Sequence, residues 1–445
     1  MWFVDKQKGS SAEYNIIEAL RLRGRLDCDA LTRTVNTIVE RHESLRTRFD
    51  EIDGQAVQVV EPLLRLDIPV HDLTSLEADE CERQVQKAIQ RETEEAFDLH
   101  QGPVIRLKLL KLTGQEHVLL RSMHHIVSDG WSQGVFNREF TVLYEAYTKN
   151  QPNPLQPLVV QYSDFAMWQR SWLEAGALQR GLDYWKRQLA GSPERLELPC
   201  DRPRPPVQSF HGGVCEFRLS SSELGDLARL SRDAGATLYM VLVAAFAVLL
   251  SRYSQQEDIV IGSPIANRQA EQLDDLIGLF VNLLVMCIVV HRDVRFSDLL
   301  KQVRATALDA YEHQDVPFDR IVQEIAPQRR VDRNPLFQVT FAVQNAPWDS
   351  QLLRDLVVEL IDRDDVLVRF DMELHAFQRA GELSIFCVYR KDLFDRWRIE
   401  QMMSHFGKIL RAVAAKPDSI VRRIELLDVK ERERILKLPA AQPNL

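Results

Sequence analysis

The run Met123-His124-His125-Ile126-Val127-Ser128-Asp129-Gly130-Trp131-Ser132 sets two histidines, a carboxylate and a glycine between a strand pattern and a helix pattern. Upstream, Gln115 to His125 alternates, with Val118, Leu120, Ser122 and His124 on one face and Leu119, Arg121, Met123 and His125 on the other, as strand residues do. The two histidines therefore cannot share a role. One should face a core and orient its neighbours, and the other should face whatever cavity the strand borders. Downstream, Gly130 is free to take a backbone shape that other residues resist. Trp131 to Tyr147 then carries Val135, Phe136, Phe140 and Leu143 as the apolar stripe of a helix.

At 445 residues the chain exceeds the size at which one core keeps growing, so two domains are expected. They divide as 1–175, carrying the histidine run, and 176–445. In the first, Ala30 to Arg41 reads as a helix with Leu31, Val35, Ile38 and Val39 on one side, and Pro103 to Leu110 reads as a half-solvated strand. Asp183 to Leu189 and Pro199 to Pro206 read as a connection. From Gly212 a second pattern starts, with a strand, an apolar helix from Thr237 and a short strand from Asp258 to Gly262. Ala236 to Leu250 is apolar but short for a membrane span, so it is expected as a buried helix. Lys and Arg total 56 against 65 for Asp and Glu, which argues against a general nucleic-acid surface. Six cysteines without a CxxC pair suit reduced thiols and a cytoplasmic setting. The opening residues lack a targeting progression, and Leu438 to Pro443 resembles a linker.

The chemistry of the run can be argued from its residue types. Moving an acyl group from a thioester to an amine needs that amine neutral as it attacks, and an imidazole can accept or steer the proton. No G-x-S-x-G elbow is present, so no serine relay is invoked. Asp129 lies where a turn would bring its carboxylate to backbone amides and to a buried arginine. His313 and Asp315 lack a third convergent ligand, and no metal is expected.

Further runs sharpen this. Arg41-His42-Glu43-Ser44-Leu45-Arg46-Thr47-Arg48-Phe49, Tyr162-Ser163-Asp164-Phe165-Ala166-Met167-Trp168, Ile277-Gly278-Leu279-Phe280-Val281-Asn282, His313-Gln314-Asp315-Val316-Pro317-Phe318 and Arg333-Asn334-Pro335-Leu336 follow in order. With the histidine run and Met1-Trp2-Phe3, they resemble the ordered motifs of a nonribosomal peptide synthetase condensation domain, within the chloramphenicol-acetyltransferase-like acyltransferases. Leu283 and Cys287 stand where threonine and arginine are usual in the fifth motif, Asp319 where glutamate is common, and Arg330 and Asp332 replace the usual aspartate and serine of the seventh.

The resemblance implies an α/β (α+β) fold of two acyltransferase-like lobes in a V-shaped pseudodimer with a central tunnel. It implies peptide-bond formation between a donor aminoacyl or peptidyl thioester and the amine of an acceptor aminoacyl thioester, joining an L-configured donor to an L-configured acceptor. Both substrates ride on the 4′-phosphopantetheine arms of donor and acceptor peptidyl carrier proteins; the domain itself binds no cofactor, and neighbouring modules such as an adenylation domain are further partners. Neither nucleic acid nor membrane is implied. His125 would position the acceptor amine or carry its proton, with His124 in support and Asp129 in an architectural ion pair with Arg46, or with Arg48 as the competing choice. Gly130 would let its amide approach the thioester, and Trp131 would pack beside the turn. Gly278 and Asn282 would shape a crossover loop at the tunnel, and Arg333 and Asn334 would anchor the second lobe. The alternatives are noncatalytic recruitment of carriers or tailoring enzymes, and a related epimerisation domain.

Overall fold

The computed structural model describes residues 1–2, 6, 12–206, 209–325, 333–344, 356–361, 366–379 and 381–436. The motif residues Phe3, Arg330 and Asp332 and the tail from Leu438 lie outside that set. The chain forms two compact units: Met1–Gly176 with Ala266–Val281 and Ala346–Arg363, and Ala177–Ile265 with Asn282–Asn345 and Asp364–Leu445. The boundary near 175 therefore divides only part of the chain, because two later segments fold with the first unit. A contiguous reading of the sequence has no means of seeing that exchange.

In the first unit, β1 (Asn15–Gly24), β4 (Val70–Asp72), β5 (Ile105–Lys111), β6 (Glu116–His124) and a later strand, Leu356–Leu360, make one sheet in the order Leu356–Leu360, β1, β6, β5, β4. A separate hairpin pairs β2 (Thr47–Ile52) with β3 (Gln55–Val60). β6 lies between β1 and β5, antiparallel to both, and both its faces are covered. Leu119 and Met123 pack with helices α1 (Cys28–Arg41) and α3 (Gly130–Thr148). Val118 and Leu120 pack with Cys81, Val85 and Ile89 of α2 (Ala78–Glu94). The expected stripe of α3, Val135, Phe136, Phe140 and Leu143, is buried, as are the four apolar residues expected of α1.

The fold departs from expectation at two neighbouring positions. β6 ends at His124, and His125 opens a 3-10 turn, His125–Val127, so His125 leaves the strand alternation. Gly130 is the first residue of α3 and does not adopt a positive φ. Its freedom is not spent on a left-handed turn.

The second unit is built on a seven-stranded sheet in the order Val366–Leu367, His211–Leu219, Glu382–Arg390, Met372–Arg379, Val339–Gln344, Asp258–Ile265, Asn282–Val289. The helix expected from Thr237 is Leu238–Ser254, capped by the Thr237 hydroxyl and buried throughout Met240–Ser251. No single helix among the described residues is long and apolar enough to cross a membrane. Asp183–Leu189 is not a connection. Its first six residues belong to the helix Leu178–Gln188 and Leu189 is the C-cap; Leu182 and the 0 % exposed Trp185 bury themselves three residues apart in this unit's core.

Candidate active site

The two histidines lie in different settings because β6 stops between them. His124 is 0 % exposed, its ring edge-on to Phe97 and tilted against Tyr14. Its Nδ1 accepts the Ile126 N–H at 3.1 Å, so the side chain caps the short turn that begins at His125. His125, by contrast, is only partly buried. Gly130, which follows the turn at the head of α3, is exposed.

Asp129 ends the turn and caps α3. Its Oδ1 accepts the Ser132 N–H at 2.9 Å and lies 2.8 Å from the Ser132 hydroxyl. Oδ2 accepts the N–H groups of Phe280 and Val281 at 2.9 and 3.1 Å. The charge partner of this carboxylate is Arg268, 3.6 Å away, and not Arg46 or Arg48. Arg46 donates to the Glu61 carbonyl and pairs with Glu43, while Arg48 serves Glu61 and Asp50 on the hairpin. Arg268 also donates to the carbonyls of Leu273 and Leu276 and to the Ser132 hydroxyl, and its guanidinium lies 4.0 Å over Phe280. Burial pulls Arg268 below its ordinary range, with Asp129 and Asp274 opposing. Arg268 belongs to no recognised run, and only its return to the first unit within Ala266–Val281 brings it to Asp129.

The motif residues converge on the backbone of that returning segment. Trp131 Nε1 donates to the Asp274 carbonyl at 2.9 Å. His42 Nδ1 accepts the Ile277 N–H at 3.3 Å, and Ser44 donates to the Ile277 carbonyl at 2.6 Å. The Ser132 hydroxyl accepts the Gly278 N–H at 3.1 Å. The Tyr162 hydroxyl, from helix α4 (Tyr162–Trp172), donates to the Leu279 carbonyl at 2.9 Å. Phe165 of the same helix packs on Phe280 with ring centroids 4.7 Å apart. Motifs far apart in sequence are thus one fastening: side chains supply the partners that a buried irregular backbone requires. Gly278 fits this crowding, because a Cβ there would stand 2.2 Å from the Tyr162 ring. Gly278→Ala is expected to cost about 1–3 kcal/mol through overpacking, measured by urea unfolding; an unchanged midpoint would contradict the tight fit.

His42 carries a second consequence. Its Nε2 is 2.9 Å from Glu139, which also accepts from Arg41 at 2.8 Å. Because Nδ1 accepts a backbone N–H, the ring proton belongs on Nε2, facing the carboxylate, and the imidazole is neutral. Burial pulls His42 below its ordinary value, with the hydrogen bond to Glu139 opposing. A histidine whose folded pKa is depressed takes its proton more readily when unfolded, so its contribution fades as pH falls below the unfolded value of about 6.5. Stability should therefore fall as pH drops below about 6.5, and fall less in His42→Asn. Equal losses in the two proteins by chemical denaturation would refute the assignment.

The remaining candidates sit elsewhere. Asn282 opens a strand of the second unit, donating to the Gln314 and Val316 carbonyls at 2.7 and 2.8 Å and accepting the Phe318 N–H at 3.0 Å. It clamps the sixth-motif loop and does not join the histidine turn. Asn334 offers its carbonyl to Gln338 at 3.2 Å, in the same unit as Arg333; neither belongs to the turn. His313 stacks on Tyr184 with centroids 3.8 Å apart, and no group of three or more metal-ligating side chains is found among the described residues.

The fold and site define a domain of acyltransferase-like mixed α/β architecture. A solved structure of the X-domain from teicoplanin biosynthesis superposes with a TM-score of 0.85 at 27 % identity, covering 96 % of this chain and 95 % of that one. The family profile of the condensation domain matches residues 1–436, and the chain belongs to the condensation domains of nonribosomal peptide synthetases. It is 42 % identical over 441 residues to one of the proteins that make up the linear gramicidin synthase of Brevibacillus parabrevis, covering 98 % of this chain and 6 % of that protein. It is 41 % identical over 438 residues to malpibaldin synthetase of Mortierella alpina, covering 98 % of this chain and 8 % of that protein. The chain thus spans less than a tenth of the length of these two relatives.

Proposed function

We propose that this domain forms peptide bonds, passing a donor aminoacyl or peptidyl group from its thioester to the amine of an acceptor aminoacyl thioester. Both substrates arrive on the 4′-phosphopantetheine arms of carrier proteins, within a larger cytoplasmic synthetase. The observation that carries the reading is the division of the histidine pair: His124 is sealed in the core as a turn cap, and His125 is the member left partly exposed.

In this reading the acceptor nitrogen attacks the donor carbonyl carbon, the C–N bond forms, and the C–S bond to the donor arm breaks. His125 takes the proton that the nitrogen loses and returns it to the departing thiolate. An α-amine has a reference pKa near 8, so roughly a tenth is already neutral near pH 7. Prior deprotonation therefore gains little, and His125 acts mainly by holding the amine in line and taking the proton as attack proceeds. Gly130, exposed at the head of α3, leaves room for the thioester beside the turn.

A second reading is recruitment without chemistry, favoured by the likeness to the X-domain, which has been solved in complex with OxyB. One experiment separates these and epimerisation. Donor carriers bearing L- or D-aminoacyl groups are mixed with a loaded acceptor carrier and the domain in deuterated buffer. The proposal expects product from the L-donor without deuterium at its α-carbon. Deuterium uptake without product would assign epimerisation, and neither result with any carrier pair would favour recruitment.

A further inference from the structure

Behind the histidine turn lies a buried polar chain. Arg121 on β6 is 3 % exposed. Its Nη2 donates to Glu18 at 2.7 Å and to Gln133 Oε1 at 2.7 Å, its Nη1 donates to Asn137 at 2.8 Å, and its guanidinium lies 4.0 Å over Phe136. Gln133 then donates from Nε2 to the Ser128 hydroxyl at 2.6 Å, and the Ser128 N–H donates back to the His125 carbonyl at 3.4 Å. Gln133 and Ser128 are both buried.

A buried ion pair is weak evidence for stability, since apolar residues of similar volume fill such a place at equal or lower cost. What this chain of groups does have is reach. It runs from Glu18 on β1 to Ser128, which lies between His125 and Asp129, so the turn is fixed at Asp129 by Arg268 and at Ser128 by Gln133. Groups that act on a reacting atom need supports whose own rotamers are locked, and an error of about 1 Å can cost about a hundredfold in rate.

We propose that Gln133 is a positioning residue for His125, transmitting the rigid Glu18–Arg121 pair to the turn through Ser128. The inference rests on the reading that His125 serves acyl transfer. It concerns a buried residue in the helix that follows the histidine turn.

The test uses the full chain with Gln133→Leu, Gln133→Glu and Ser128→Ala. Leucine removes the hydrogen bonds to Arg121 and Ser128, with the longer one from Nε2 to the Met123 sulfur at 3.5 Å, at similar volume; glutamate restores the first two, accepting from Arg121 and from the Ser128 hydroxyl. Ser128→Ala cuts the polar chain at the turn while leaving Arg121 fully partnered, and so serves if the leucine variant fails to fold. Single-turnover transfer between loaded carriers should slow roughly 10- to 100-fold in Gln133→Leu and Ser128→Ala, with unfolding midpoints close to wild type and most of the rate recovered in Gln133→Glu. The titration of the His125 ring, followed by NMR, should shift in the two slow variants. Wild-type rates together with an unmoved His125 titration in both would overturn the inference. If the wild type itself transfers nothing, the functional reading falls, and the NMR titration alone decides the positioning: shifted in both variants, it stands; unmoved, it fails.

Discussion

Replacing His125 with alanine should abolish nearly all transfer to the acceptor carrier while leaving the domain folded. Removing a group that carries a proton during attack costs about 10²- to 10⁴-fold, and here the same side chain also holds the nucleophile. The fold should tolerate the change. His125 lies outside the strand, in a short turn whose cap is the His124 ring and whose far end is held by Asp129. Its removal opens no core cavity, so the expected stability loss is about 1 kcal/mol or less. Circular dichroism and urea unfolding check the fold, and single-turnover assays check the rate. Full activity in His125→Ala would remove the residue from the chemistry.

Asp129→Ala should do the opposite, destroying structure first. The substitution deletes the acceptor for three backbone N–H groups, those of Ser132, Phe280 and Val281. It also leaves the side chain of Arg268, 2 % exposed, without its anionic partner. Breaking a buried pair by removing one member costs about 3–5 kcal/mol, a large share of the roughly 5–15 kcal/mol that holds a domain together. Activity is then lost along with the fold. Asp129→Asn keeps an acceptor oxygen for part of this set and should fall between alanine and wild type. A cooperative, wild-type unfolding curve combined with abolished transfer would instead place Asp129 in the chemistry.

The local elements around the site are largely legible in the sequence. Alternation and the 3.6-residue stripe locate β6 and α3, but the division between a buried and a partly exposed histidine comes from the end of the strand at His124 and not from its period of two. The limits have physical causes. Periodicity marks a strand but not its last residue, so the alternation runs on through His125 although that residue begins a turn. Asp183–Leu189 is polar at four of its seven positions and Leu182, which is buried with Trp185, lies outside it, so its helical stripe is too thin to distinguish it from a connection. The segment around Arg268 is polar with no repeating pattern, and it belongs with the first unit only through the chain's return. No local rule pairs it with Asp129, whereas Arg46 and Arg48 stand inside a recognisable motif. Likewise Asn282 follows Phe280 and Val281 directly in sequence, yet it serves a different loop in the other unit. Motif membership indicates which residues matter, while only the folded chain shows which of them act together.

The most direct test of the central claim is intact-protein mass spectrometry of both carriers after mixing with the domain. The donor and acceptor carriers are loaded with aminoacyl groups and incubated with wild type or with His125→Ala of verified fold. The account predicts that the acceptor carrier gains the mass of the donor acyl group with wild type, that the donor carrier returns to its free-thiol mass, and that neither change occurs with His125→Ala. Equal mass gain on the acceptor with both proteins would contradict it.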